Sequence, residues 1–193
     1  MKSEEIILLG NNQLILEDNL HSYMYKALKW SEKLRKNVNR PFLKKHMTNK
    51  ELVYHPLWIA KTLVLAGRHP FPPKKIPKMV FVDALSGYRG MLSTVPETST
   101  LKVTSNQLIE ADIFEEEAKK YIIDVQEKQI NRSYVLKKPD HQLVDLSLHY
   151  LPLWKTTVKS TIFNKNFIIN ANTGESEEHM GKFWADRNRM KIS

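Results

Sequence analysis

Val82-Asp83-Ala84-Leu85-Ser86-Gly87 and Ile169-Asn170-Ala171-Asn172-Thr173-Gly174 are two versions of one six-residue segment, matched in every pair except Leu85 with Asn172. Each couples an Asx residue to a Ser/Thr-Gly pair. An Asx side chain folds back on its own turn, and glycine supplies the positive φ that a tight turn often demands. Upstream, Tyr54-His55-Pro56-Leu57-Trp58 matches Tyr150-Leu151-Pro152-Leu153-Trp154 at four of five positions. Further upstream, Asn39-Arg40-Pro41-Phe42-Leu43-Lys44-Lys45 resembles Asn131-Arg132-Ser133-Tyr134-Val135-Leu136-Lys137-Lys138, with one residue inserted. Three blocks in the same order read as a duplication, with copies at residues 1–98 and 99–193.

Before each set of blocks lies a helical pattern. Leu20, Met24, Ala27, Leu28, Leu34 and Val38 recur at helical spacing in the first copy, and Phe114, Ala118, Tyr121, Ile122 and Val125 in the second. Asp112 is the expected N-cap of the second helix, with Glu115, Glu116 and Glu117 in its first turn, where negative charge suits the helix dipole. Residues 58–65, 78–82 and 88–95 read as strands, rich in β-branched and aromatic side chains. The expected fold class is therefore α+β, with two tandem units, each a helix followed by an antiparallel meander. Residues 6–9 and 13–17, flanking Gly10-Asn11-Asn12, add an expected N-terminal hairpin. Residues 175–190 add a C-terminal helix that groups Met180, Phe183, Trp184 and Arg187 on one face, with Arg189 and Lys191 near its end. Trp58 and Trp154 are expected to pack beneath the helix of their own copy.

A helix, a meander and an Asn/Asp-Ala-x-Thr/Ser-Gly turn together resemble the PepSY-type repeats of cystatin-like folds, carried by Val82–Gly87 and Ile169–Glu175. The resemblance implies a noncatalytic binding or inhibitory module.

The chain has 193 residues, 41% hydrophobic and 26% charged, which is globular composition. It contains no cysteine, so disulfides, thiolate zinc sites and cysteine nucleophiles are excluded. Without a signal-like or membrane-length apolar run, a cytoplasmic protein is expected. The net charge of +9 is unevenly placed: residues 1–96 hold 16 Lys/Arg against 7 Asp/Glu, and residues 97–193 hold 14 against 14. An anionic partner for the first half would account for this, as would a solvated lysine-rich surface.

The copies differ most between the Trp and turn blocks, 25 residues apart in the first copy (58 to 83) and 16 in the second (154 to 170). The extra residues form the proline-rich, basic segment Gly67–Lys78. Prolines hold such a segment extended, and Arg68, His69, Phe71, Lys74, Lys75 and Lys78 would give it cations and an aromatic contact for an acidic protein partner. Lys44, Lys45 and Arg89 are candidates for the same patch. The alternative is a rigid hairpin end whose prolines suppress edge pairing. Nucleic acid is the second candidate partner, because phosphates suit the same cations. Dimerisation through an exposed sheet edge is a further option.

Catalytic motifs are missing. No two of His21, His46, His55, His69, His141, His149 and His179 have metal-site helical spacing, and no nucleophile elbow, phosphate loop or dinucleotide fingerprint occurs. Asp83 is better placed as a turn residue than as a base. A non-enzymatic binding or regulatory protein without a cofactor is expected, with a ligand-binding or enzymatic cone lined by His55, His69 or Asp83 as a further alternative.

Overall fold

The computed structural model describes residues 3–186, a mixed α+β structure with a seven-stranded sheet. The strands are β1 Ser3–Leu9, β2 Met47–Arg68, β3 Phe71–Asp83, β4 Arg89–Leu92, β5 Thr98–Thr104, β6 Asp140–Lys159 and β7 Asn164–Asn170. The helices are α1 Leu20–Ala27, α2 Trp30–Lys33, α3 Arg40–His46, α4 Glu115–Val125 and α5 Glu178–Asp186. Strand order is β4-β3-β2-β6-β1-β5, with β7 also paired to β6. Among the described residues no helix is long and apolar enough to cross a membrane.

The chain forms two compact units, each assembled from separated segments, so division by compactness differs from division by sequence copy. One unit draws on residues 3–55, 98–109 and 151–186, the other on 56–97 and 110–150. In the first, Leu20, Met24, Leu28, Val38 and Leu43 share a core with Val158, Phe163, Phe167 and Ile169. In the second, Ala60, Val80 and Val82 share a core with Ile113, Ala118, Tyr121, Ile122 and Val125.

Each tryptophan thus packs with the helix of the other sequence copy, which corrects the expectation above. The lead-in to each helix explains the exchange. Ile15 donates its amide to the Ala171 carbonyl at 2.7 Å, and Ile113 donates to the Ala84 carbonyl at 2.8 Å. Trp154 Nε1 donates to the Ile15 carbonyl and Trp58 Nε1 to the Ile113 carbonyl, both at 2.8 Å. Chain clamped onto the other copy's turn delivers its helix to that copy's strands.

The turns behave as their composition predicts. Asp83 Oδ1 accepts from the amides of Leu85 and Ser86 at 2.8 and 2.9 Å, and Asn170 Oδ1 from those of Asn172 and Thr173 at 3.0 and 3.2 Å. Gly87 and Gly174 close the turns at φ 74° and 76°.

Three local expectations are overturned. The N-terminal hairpin does not form: β1 pairs antiparallel with β5, Ile6 opposite Leu101, because residues 13–17 carry the Ile15 amide and carbonyl already bonded to Ala171 and Trp154. The helical pattern of residues 20–38 is broken, since Leu28 is extended and Asn37 takes φ 74°, a conformation asparagine tolerates. Asp112 does not cap α4; its amide donates to the Ala84 carbonyl at 3.0 Å, and the helix starts at Glu115. The segments 39–45 and 131–138 also diverge. Asn39 caps α3 by accepting from the Phe42 amide at 2.9 Å, whereas 134–138 is irregular and leaves Val135 and Leu136 exposed.

The C-terminal helix is present as α5. Trp184 Nε1 donates to Nδ1 of the fully buried His55 at 2.9 Å. The Phe183 side chain and Arg187, Arg189 and Lys191, expected on the same helix, lie outside the described residues.

In the second unit Asp124 joins α4 to β4, pairing with Arg89 at 2.7 Å and Lys128 at 2.6 Å. The Lys128 hydrogen bond, aided by Arg89 and opposed by burial, holds its carboxyl below the usual carboxylate range. A depressed acid stabilises the fold above its unfolded value and loses that contribution as pH falls through its folded value. Asp124→Asn should therefore cost about 1–3 kcal/mol at pH 7. Urea unfolding should show the gap to the unsubstituted protein closing below about pH 4.

Candidate functional site

Most of the proline-rich segment is strand rather than loop. Thr62 pairs with Lys78, Val64 with Ile76, Ala66 with Lys74 and Arg68 with Phe71, with a register shift between Ala66 and Arg68. β4 ends with Leu92 opposite Met79. Outward from Lys78, β3 is paired on one edge only, with β2, and the two strands run on as a ribbon beyond β4. Pro72, Pro73 and Pro77 lie in this one-sided part, where a missing N–H is tolerated.

The ribbon is strongly cationic. Residues 52–82 contain no Asp or Glu and carry Lys61, Arg68, Lys74, Lys75 and Lys78. Arg68, His69, Phe71, Lys74 and Lys75 are exposed and Lys78 is half-buried. Arg68 Nε donates to the Pro72 carbonyl at 2.9 Å, which braces the tip beside the exposed Phe71 ring. Strand alternation puts Lys74, Ile76 and Lys78 on the face that also carries Val80 and Val82, and Lys75 on the opposite face.

At the root of the ribbon is an open groove of about 640 Å³, lined by Thr62, Lys78, Met91, Val95 and Val144 among others, with no acidic residue in its lining. No local motif announces it. Its walls come from β2, β3, β4, the segment after β4 and β6, so only strand pairing brings them together.

Three further residues were expected in the patch: Arg89, Lys44 and Lys45. Arg89 pairs with Asp124, donates to the Gly87 carbonyl at 2.9 Å and lies over the Tyr121 ring at 4.6 Å. These contacts tie it into the fold of the second unit. Lys44 and Lys45 are exposed on the last turn of α3, in the other compact unit.

The first unit carries a lysine at the position matching Lys78. Four residues after Trp58 is Thr62, opposite Lys78; four after Trp154 is Val158, opposite Lys165. Lys165 is covered by carboxylates, pairing with Glu32 at 3.1 Å and Glu178 at 2.8 Å. Burial works against the Lys165 charge, but Glu178 and Glu32 raise its pKa above the ordinary value. Burial likewise opposes ionisation of Glu32, and the Lys29 amide and Lys165 hold it below its ordinary value. No ion pair to Lys78 occurs among the described residues.

His55 is engaged by Trp184, Asp83 holds its turn and His69 sits at the ribbon tip. Ser147 Oγ and His149 Nε2 lie 2.9 Å apart on β6, a pair that sequence spacing did not single out. Burial lowers the His149 pKa, and its buried Nδ1 has no hydrogen-bond partner among the described residues to orient the ring as a base. Among the described residues no group of three or more His, Asp and Glu side chains is placed to hold a metal ion. Comparison of the chain with protein-family models, curated proteins and solved structures gives no match.

Proposed function

We propose that this chain is a non-enzymatic, cytoplasmic binding protein that engages an acidic protein surface through the β2–β3 ribbon. The observation that carries the proposal is the ribbon's charge: a paired, acid-free element extends beyond β4 with Lys74 and Lys75 exposed. Its pairing and prolines limit the ordering cost on association, and its cations attract an acidic partner. The two units are further proposed to derive from one PepSY-like, cystatin-like α+β unit. The matched hydrogen bonds of Asp83 with Asn170 and of Trp58 with Trp154 support that descent.

The test is affinity capture from native lysate, followed by titration of the purified protein with the captured partner. Lys74→Glu/Lys75→Glu should weaken the interaction tenfold or more, each reversal contributing about 1 kcal/mol. Capture should survive nuclease treatment. Loss with nuclease would transfer the role to nucleic acid, whose phosphates give a steep salt dependence. Unchanged affinity in the double variant would remove the ribbon from the function.

A further inference from the structure

We propose that the groove at the ribbon's root receives a short helical turn of the partner protein and that Lys78 pairs with a carboxylate on that turn. This deepens the ribbon's binding role and rests on it.

The first unit supplies the template. There, the segment after α1 is buried through Leu28 and Val38 in a core with Val158 and Phe163, and it places Glu32 on Lys165. Trp30 and Leu34 of the same segment point to solvent. The filled position thus takes a helical turn with aliphatic residues facing the strands and one carboxylate meeting the lysine. In the second unit the matching lysine, Lys78, opens onto the groove beside Val144, Met91 and Val95. Met91, Val95 and Val144 are 41%, 71% and 59% exposed, an apolar surface of the kind that the buried segment removes from water in the first unit.

Charge selects the occupant. A half-buried ammonium in a groove without acids favours an anionic group, and a carboxylate within hydrogen-bond reach forms the stronger, charge-assisted kind of bond. Continuity makes the occupant a polypeptide. Lys78, Ile76 and Lys74 lie along one face, so a segment seated on Lys78 continues over about 13 Å of ribbon to Lys74 at the rise of a strand.

The probe is a fluorescein-labelled peptide with the sequence of residues 27–38 in which Lys29, Lys33, Arg35 and Lys36 are replaced by glutamine. It keeps Leu28, Glu32 and Val38 and removes the competing cations. Fluorescence anisotropy with the full chain should show saturable binding. Affinity should fall about tenfold when the peptide's glutamate becomes glutamine, and as far when the protein carries Lys78→Glu. A peptide with Glu32→Lys should recover affinity for Lys78→Glu, which separates lost pairing from lost folding. Lys74→Glu/Lys75→Glu should change peptide affinity less than threefold while it weakens capture of the protein partner.

No binding at millimolar protein overturns the groove proposal, as does binding indifferent to the charge at residue 78. In either case a loss of capture in Lys74→Glu/Lys75→Glu would still uphold the ribbon. Peptide binding that depends on Lys78, with capture indifferent to Lys74 and Lys75, would uphold the groove and overturn the ribbon.

Discussion

A chain divided at residue 98 should yield two fragments that remain unfolded alone and fold when mixed. The N-terminal fragment contains α1, α2 and α3, but Val158, Phe163, Phe167 and Ile169 of β6, β7 and the turn between them, which share their core, are in the other fragment. The C-terminal fragment contains α4, whose strand partners Ala60, Val80 and Val82 are in the first. Losing the burial of Leu20, Met24, Leu28, Val38 and Leu43, at about 1.5–3 kcal/mol each, removes about 7–15 kcal/mol. That matches the whole stability of an ordinary domain, about 5–15 kcal/mol. Each fragment should lack a cooperative urea transition by circular dichroism, and the equimolar mixture should regain one. A cooperative transition in either fragment alone would contradict the exchanged packing.

Gly174→Ala should be among the most damaging single-methyl additions to the chain. The residue sits at φ 76°, and a Cβ there would lie 2.0 Å from Tyr23 Cδ1. Left-handed backbone costs a non-glycine residue about 1–2 kcal/mol, and forcing Tyr23 aside adds about 1–3 kcal/mol of overpacking. The expected loss of about 2–5 kcal/mol should appear as a lowered urea midpoint. Placing Gly174→Ala in a Tyr23→Ala background should cost only the backbone share. An equal cost in both backgrounds would show that Tyr23 is not the obstacle.

The residues differ in how plainly they announced their places. The turns were legible because Asp83, Asn170, Gly87 and Gly174 act locally: an Asx oxygen reaches amides two and three residues away, and positive φ favours glycine. The core helix residues Met24, Tyr121 and Ile122 were legible from helical spacing. Their partners were not, because periodicity says which face is buried and nothing about what buries it. The assignment of α1 to β6 and β7 depends on the Ile15–Ala171 hydrogen bond, between residues with no compositional link. Arg89 reads as a patch cation in the sequence because its partner Asp124 is 35 residues away. The pairing of the proline-rich segment was not legible, because proline lowers strand propensity. A strand paired on one edge only, as β3 is here, relaxes that penalty. Lys78 was found as one charge among several, and its groove became visible only when register set it opposite Thr62 as Lys165 is set opposite Val158.

The exchanged helices also set a timetable for synthesis. Met24 leaves the ribosome long before Phe167, 143 residues later (167 − 24), and at 5–20 residues per second that interval is about 7–30 seconds. For most of it, the apolar stripe of the first helix lacks Val158, Phe163, Phe167 and Ile169, which complete its core. The nascent chain must carry Leu20, Met24 and Leu28 exposed, or lend them to a chaperone, until β6 and β7 have been made. A core closed by strands made long after its helix leaves the growing chain more vulnerable to aggregation than the folded one.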